Sequence, residues 1–240
     1  MSLHVFSETQ KWARESGIVL WSEEKTTSTN AIAKESTLAG APVRLFLTDH
    51  QSAGRGRGKN QWLQSENSGS TFLTTWAFHL GKKNPQPVLS PAIGYALWSA
   101  LQTSFPWVKF ALKAPNDLYC EDRKIAGLLL EICQQQGENF LLIGLGMNVL
   151  AAPDMMPTAG ALQNFLSIEL TTTVWRQILD RLLLEFSLAL SQTDAELSPT
   201  QQQSLLYALN RFSKLEKAYQ KVDKDGSLWI DSEIKHWSEL

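Results

Sequence analysis

Asp49-His50-Gln51-Ser52-Ala53-Gly54-Arg55-Gly56-Arg57-Gly58-Lys59-Asn60-Gln61-Trp62 alternates glycines with two arginines and a lysine, in a chain whose formal net charge is −2. Glycine lacks a Cβ and reaches positive φ freely, so such a segment can bring its backbone N–H groups close to a ligand. Successive N–H groups make an anion-binding hollow, and arginine adds a planar fork that matches phosphate oxygens. The same glycine content leaves an empty loop poorly fixed. The reading is a phosphate-holding loop that orders on its ligand.

A solvated surface turn is the plainer alternative, and the flanks argue against it. Residues 43–48 form an apolar, strand-like run leading in, and residues 70–78 form another leading out. A cationic glycine loop strung between buried strands is held by a scaffold, where binding residues collect. Two common nucleotide motifs fail here. A P-loop needs a glycine where Ala53 stands and Ser or Thr where Asn60 stands, and the dinucleotide fingerprint fails because Gly54, Gly56 and Gly58 alternate.

The 240 residues fit one sizeable domain, or one with a small appendage. A hydrophobic content of 43% supports a substantial core and argues against disorder. With a pI near 6.1 the protein does not coat nucleic acid with a basic face, so its positive charge matters locally, in the loop. Cys120 and Cys133 suggest neither a disulfide framework nor a metal site, and His4, His50, His79 and His236 have no ligand spacing. The polar N-terminus and the lack of a long apolar run predict no leader, no membrane span and a cytoplasmic location.

Residues 4–16 read as a short amphipathic helix stopped by Gly17, and 18–22 as a short strand. Ser28, in the polar cluster Lys25-Thr26-Thr27-Ser28-Thr29-Asn30, is a candidate cap for a helix beginning near Ala31. Either capping alone explains the Ser-Thr-Asn triplet, or the helix start points its hydroxyls at a polar ligand group. A mostly apolar helix spans 87–104, followed by strands at 108–113, 118–120, 124–133 and 139–150 joined by short turns. Helical spacing of Val174, Ile178, Leu179, Leu182, Leu183, Phe186 and Leu190 marks a core helix, and Ser198-Pro199 starts another. Strand-like pieces at 218–222 and 228–230 flank the turn Asp223-Lys224-Asp225-Gly226. The expected fold is α+β, a mixed and mainly antiparallel sheet with helices packed on one side, plus a small C-terminal appendage.

Four polar clusters now stand at strand ends: Ser28-Thr29-Asn30, the 51–62 loop, Lys113-Ala114-Pro115-Asn116-Asp117 with Arg123-Lys124-Ile125-Ala126-Gly127, and Gly144-Leu145-Gly146-Met147-Asn148. In this order and at these separations they resemble the biotin protein ligases. That family carries a Ser-Thr-Asn triplet, Gln-x-x-Gly-Arg-Gly-Arg ending in Trp, Lys-Trp-Pro-Asn-Asp, Arg-Lys-x-Ala-Gly-Ile-Leu-x-Glu and Gly-x-Gly-x-Asn. The resemblance runs over roughly residues 18–190, and the combination is far more specific than any one piece.

The resemblance implies that Ser28, Thr29, Asn30 and Gln51 hold the ureido ring of biotin, and that Arg55, Gly56 and Arg57 lie in a loop that closes over biotinyl-adenylate. Lys124 would sit beside the biotin carboxyl and the reacting phosphate. Gly54, Arg57, Trp62, Lys113, Asn116, Asp117 and Asn148 would serve ATP, with Asp117 acting through Mg²⁺. It further implies a catalytic core over 1–195 shared with lipoate ligases, a short region over 196–240 akin to a reduced SH3-like domain, and a biotin carboxyl carrier protein of a biotin-dependent carboxylase as partner. Family members often pair through their sheets, so a homodimer is compatible with it. The chain departs from the pattern in three ways. Gly58-Lys59-Asn60 thins the loop's charge, Ala114 replaces the usual Trp, and the triplet begins at position 28, leaving no room for the winged-helix DNA-binding domain of some members. DNA is therefore not an expected partner.

A carboxylate acylates poorly because its leaving group is poor, and an acyl-adenylate cures this before a carrier lysine attacks. The protein must hold two anions, carboxylate and α-phosphate, against their repulsion in a site shielded from water, where one fixed donor is worth about 3 kcal/mol. Arg57 and Lys124 are assigned that task, with Arg55 fixing the loop. Competing readings are a lipoate or octanoate ligase on the same core, a small arginine–glycine RNA-binding loop, and a catalytically idle biotin-binding relative.

Overall fold

His4 opens the first helix by accepting the Ser7 N–H on its ring Nδ1 at 3.3 Å, and α1 (Val5–Glu15) then buries Val5, Phe6, Thr9, Trp12 and Ala13 along one stripe. In this computed structural model, which describes residues 2–191 and 196–239, the chain continues as β1 (Val19–Thr26), α2 (Thr29–Glu35), β2 (Val43–Gln51), β3 (Thr71–Gly81) and α3 (Leu89–Ser104). Then follow β4 (Phe110–Lys113), β5 (Asp117–Cys120), β6 (Arg123–Gln135), β7 (Glu138–Asn148), α4 (Thr172–Ser191) and α5 (Pro199–Asn210). Three short strands close the chain: β8 (Lys221–Val222), β9 (Leu228–Ile230) and β10 (Glu233–Lys235). The elements form two compact units. One runs to Asn84 and resumes over Ile125–Arg176; the other holds Pro85–Lys124 and the chain from Gln177 onward.

In the first unit the strand order is β1-β2-β3-β7-β6, with β1 parallel to β2 and the other neighbours antiparallel. This is the mixed, mainly antiparallel sheet expected from the sequence. β3 is its centre, buried on both faces from Thr71 to Phe78. Successive strand side chains point to opposite faces. Phe72 and Trp76 therefore share one face, where they meet Trp175 and Trp12 edge-on with ring centroids 5.1 and 5.9 Å apart. The Trp175 indole donates to Thr9 Oγ1 at 3.0 Å, and Arg176 pairs with Glu8 and Glu15, fixing the start of α4 on α1. Thr75 and Ala77 look the other way, toward α2, where Ala33 and Leu38 join Phe46, Ala77, Phe140 and Leu142 in a buried cluster.

Helices thus cover both faces of this sheet, which corrects the expected one-sided packing. The physical reason is that β3 is apolar on both faces, so its pattern names neither side, and α2 has only seven residues in which to show a period. β1 also runs four residues past its expected end, because an edge strand tolerates Glu23, Glu24 and Lys25.

In the second unit α3 is buried almost all round, and the Trp98 indole donates to the Phe110 carbonyl at 3.2 Å. α5 starts with Pro199 behind a capping box, Ser198 and Gln201 each satisfying the other's backbone N–H. β4 and β5 form a hairpin with Lys113 opposite Asp117, turning through Ala114-Pro115-Asn116 with a cis Ala114–Pro115 bond. The last strands make a small antiparallel sheet ordered β10-β9-β8. Of the expected strand at 218–222 only Lys221–Val222 pairs, whereas Glu233–Lys235, two charges around one isoleucine, pairs unannounced. The boundary expected at 195/196 falls at the edge of residues 192–195, which lie outside those described. No described helix is long and apolar enough to cross a membrane.

Candidate functional site

The start of α2 carries the Ser-Thr-Asn triplet. Ser28 occupies the N-cap position with extended backbone, yet its side chain makes no capping hydrogen bond, so capping does not account for the triplet. Thr29 instead gives its backbone N–H and its hydroxyl to Gln51 Oε1, at 2.8 and 3.3 Å. Thr75, from the middle of β3, lies 2.9 Å from the Thr29 hydroxyl and also bonds Asn30 Oδ1. Ser28, Thr29 and Asn30 are all buried. Thr29, Asn30 and Gln51 therefore converge, and Thr75 joins them. Gln64 is a further member that the sequence did not point to. Its carbonyl accepts the Gln51 N–H at 3.2 Å while its amide meets His50 Nδ1 at 2.6 Å, so it props the end of β2 where Gln51 sits.

The cationic loop is a small hairpin. Arg55 and Gln61 bridge, Gly56 N–H donates to Asn60 O at 2.8 Å, Asn60 N–H to Arg57 O at 3.2 Å, and Trp62 N–H to Gly54 O at 3.0 Å. The N–H of Gly56 is thus used inside the loop and is not among the donors the loop can turn to an anion. The turn is made at Gly58, whose φ of +65° suits glycine, and a Cβ on Gly54 would lie 2.8 Å from the Trp62 carbonyl oxygen. Arg57, Gly58 and Lys59 are exposed at the tip. The loop presents the charges of Arg57 and Lys59 at its tip.

Gly144, Gly146 and Asn148 alternate on β7 and share the face that looks toward α2. A Cβ on Gly144 would stand 3.0 Å from the Asn30 amide carbon, and one on Gly146 would stand 2.5–2.8 Å from atoms of the Trp62 indole. Gly-x-Gly-x-Asn is therefore a packing solution: two bare positions let the Asn30 amide and the Trp62 ring settle onto the strand. Asn148 is buried, its amide donates to Gly160 O at 3.2 Å, and its Oδ1 has no hydrogen bond from the described residues. Replacing Gly146 with Ala is expected to dislodge Trp62 at a cost of about 1–3 kcal/mol, the usual range for overpacking. Thermal melts that fall by about 2–4 °C per kcal/mol, with altered tryptophan emission, would verify it; an unchanged melt would refute it.

Glu131, on β6, faces the same side. Burial alone would raise its carboxyl, but hydrogen bonds from Lys34 and Asn30 and the charges of Arg55 and Lys34 outweigh it and hold the group below its ordinary value.

In the second unit, Lys124 Nζ sits 2.6 Å from Asp117 Oδ1, with the two side chains 31% and 17% exposed. Lys113 faces Asp117 across the hairpin, with its Nζ 5.8 Å from the Phe212 ring centroid, and Asn116 lies half-buried in the turn. Nearby Cys120 is pushed up to about 12, first by burial and then by Glu121, so its thiol is no nucleophile near neutral pH. The expected site residues accordingly fall into two groups. Ser28, Thr29, Asn30, Gln51, Gly54, Arg55, Gly56, Arg57, Trp62 and Asn148 belong to the first unit; Lys113, Asn116, Asp117 and Lys124 belong to the second.

The model of the biotin/lipoate A/B protein ligase family matches residues 23–148, just over half of the chain. A biotin–[acetyl-CoA-carboxylase] ligase of Mycobacterium tuberculosis is 31% identical over 140 residues, covering 54% of this chain and 49% of that protein. One from Paracoccus denitrificans is 32% identical over 141 residues, covering 58% and 56%. The matched segment spans about half the length of these curated relatives. Among solved structures, a biotin protein ligase from Aquifex aeolicus in complex with biotin and ATP superposes with a TM-score of 0.70 at 20% identity, over 90% of this chain and 94% of that one, a likeness of fold.

Proposed function

Because the chain belongs to the biotin/lipoate A/B protein ligase family, we propose that it activates biotin with ATP as biotinyl-5'-AMP and transfers the biotin to a lysine of a biotin carboxyl carrier protein. The observation that carries this reading is the buried polar cluster of Thr29, Asn30, Gln51 and Thr75. A ureido ring is neutral and offers two N–H donors and one carbonyl acceptor, which such a cluster matches with hydroxyl and amide groups. A lipoyl or octanoyl tail offers none. An aliphatic tail can make no hydrogen bond with such a cluster, whereas a ureido ring can, so the lipoate alternative is disfavoured.

In the first step a biotin carboxylate oxygen attacks the α-phosphorus, forming the mixed anhydride and expelling pyrophosphate. In the second the carrier's lysine nitrogen attacks the biotinyl carbonyl, AMP leaves, and the amine gives up a proton as the amide forms. Arg57 and Lys124 would neutralise the two anions of the first step, and Arg55 would hold the loop. Buried Oδ1 of Asn148 supplies an acceptor for a ligand N–H or a bound water on the nucleotide side. Among the described residues no three His, Cys, Asp or Glu side chains converge. Asp117 would help hold a magnesium ion that arrives with the nucleotide phosphates. The ion would offset phosphate charge.

The same reading carries a cytoplasmic location and a homodimer, and treats 196–240 as a reduced SH3-like appendage to a catalytic region over 1–195. Incubation with biotin, Mg-ATP and an apo carrier domain, followed by mass measurement of the carrier, tests the function. Biotin-dependent ATP–pyrophosphate exchange with a carrier shifted by one biotinyl group is the expected result. Exchange with lipoate and none with biotin would overturn it.

A further inference from the structure

Glu131 gathers three donors that reach it from far along the chain. Its Oε1 takes Lys34 Nζ and Arg55 Nη2, each at 2.7 Å, and its Oε2 takes Asn30 Nδ2 at 2.8 Å. Lys34 and Asn30 stand on α2, and Arg55 stands at the root of the cationic loop. The Glu131 side chain is only 19% exposed, against 37% for Lys34 and 47% for Arg55. An exposed ion pair of one lysine and one glutamate would contribute little. A partly buried carboxylate that takes three donors on two oxygens is a different object, a network whose members hold one another in place.

Its geometry also fixes chemistry one bond further out. An ionised carboxylate only accepts, so Asn30 must turn its NH₂ toward Glu131 and its carbonyl toward Thr75. Thr75 has one hydroxyl proton; with that proton on Asn30 Oδ1, the Thr29 hydroxyl is left to donate to Gln51 or Thr75. One carboxylate thereby sets the donor and acceptor order of the polar cluster. It is outnumbered by its two cations, so the loop root stays positive after pairing.

We propose that Glu131 is a positioning residue that latches the cationic loop, through Arg55, to the helix bearing Thr29 and Asn30, while orienting the Asn30 amide. Its catalytic consequence rests on the proposed biotin-activating function; the latch itself does not. The loop and the ring-binding cluster then form one mechanical unit, and a ligand that seats on the cluster finds the loop already anchored at its base.

Limited trypsin digestion of the folded protein, with cleavage sites assigned by mass, reads the latch without any ligase assay. Glu131→Gln is expected to speed cleavage after Arg55, Arg57 and Lys59 by about tenfold, since proteolysis follows the population of opened loop, while other sites keep their rates. Glu131→Asp is expected to recover part of the protection. Arg55→Gln, which leaves Glu131 with Lys34 and Asn30, must speed cleavage after Arg57 and Lys59 in the same way, and it serves if Glu131→Gln folds poorly. In the ligation assay, Glu131→Gln is expected to raise the KM for biotin about tenfold with kcat changed far less, the signature of lost positioning in binding. Unchanged loop cleavage in both Glu131→Gln and Arg55→Gln would overturn the latch. Faster cleavage in a protein that exchanges no pyrophosphate with biotin would uphold the latch and sink the proposed function instead.

Discussion

Lys124→Ala is expected to fold and to lose biotin transfer by a factor of about 10²–10³, the loss typical of removing one preorganised donor at developing charge. The chemistry demands such a group. Biotin carboxylate and the α-phosphate are both anions, and a fixed cation between the reacting charges stabilises the pentacoordinate phosphorus more than the separate reactants. Lys124 is suited to the task because it is already held: Asp117 keeps its ammonium at 2.6 Å, so no rotamer search precedes the reaction. The substitution strands Asp117, which is 17% exposed and whose Oδ1 is buried, so the melt is expected to fall while the chain still folds. Measuring the melt beside ligation separates that loss of stability from the catalytic loss. Pyrophosphate exchange and carrier mass, measured beside the melt, give the answer; ligation at the wild-type rate would remove Lys124 from the mechanism. Lys124→Arg is informative too, since a guanidinium keeps the charge but moves it off the ammonium position.

What could be read from the sequence followed how local each signal was. α4 announced itself through Val174, Ile178, Leu182 and Phe186, and Ser198-Pro199 announced α5 with its capping box, because both signals lie within a turn or two of chain. The mixed sheet followed from the succession of apolar runs and short turns. Its two-sided covering did not, since Phe72 and Ala77 are both apolar and both buried although they occupy opposite faces. Gly144 and Gly146 were recognisable as part of a motif, yet their reason, the Asn30 amide and Trp62 indole lying across them, needs the fold. Glu131 is the sharpest case. It ends the recognised Arg-Lys-x-Ala-Gly segment, but its partners Arg55, Lys34 and Asn30 are 76, 97 and 101 residues away. No spacing rule reaches that far. The loop's N–H groups show the same limit, because glycine content signals backbone access and cannot say that Gly56 has already given its N–H to Asn60.

Arg57→Ala should yield a protein that still activates biotin but wastes it. Arg57 is exposed at the loop tip, just before the Gly58 turn, so truncating it is expected to shift stability by no more than about 0.5 kcal/mol. With Arg55 held by Glu131 at 2.7 Å, the charges at the exposed tip are those of Arg57 and Lys59, and Arg57 is the one proposed to lie over the acyl-adenylate. Without it, two effects follow with different readouts. Activation slows, because the α-phosphate loses a counter-charge. The adenylate that does form is less shielded, and water then competes with the carrier amine for the mixed anhydride. The ratio of AMP released to carrier modified discriminates between these effects. It stays near one for an enzyme that guards its intermediate and rises several-fold for one that leaks. An Arg57→Ala protein with slowed transfer and a ratio still near one would assign Arg57 to activation alone, leaving protection of the intermediate to other parts of the loop. A wild-type rate with a wild-type ratio would mean that the cationic tip has no part in either step, and the central reading of this sequence would fail with it.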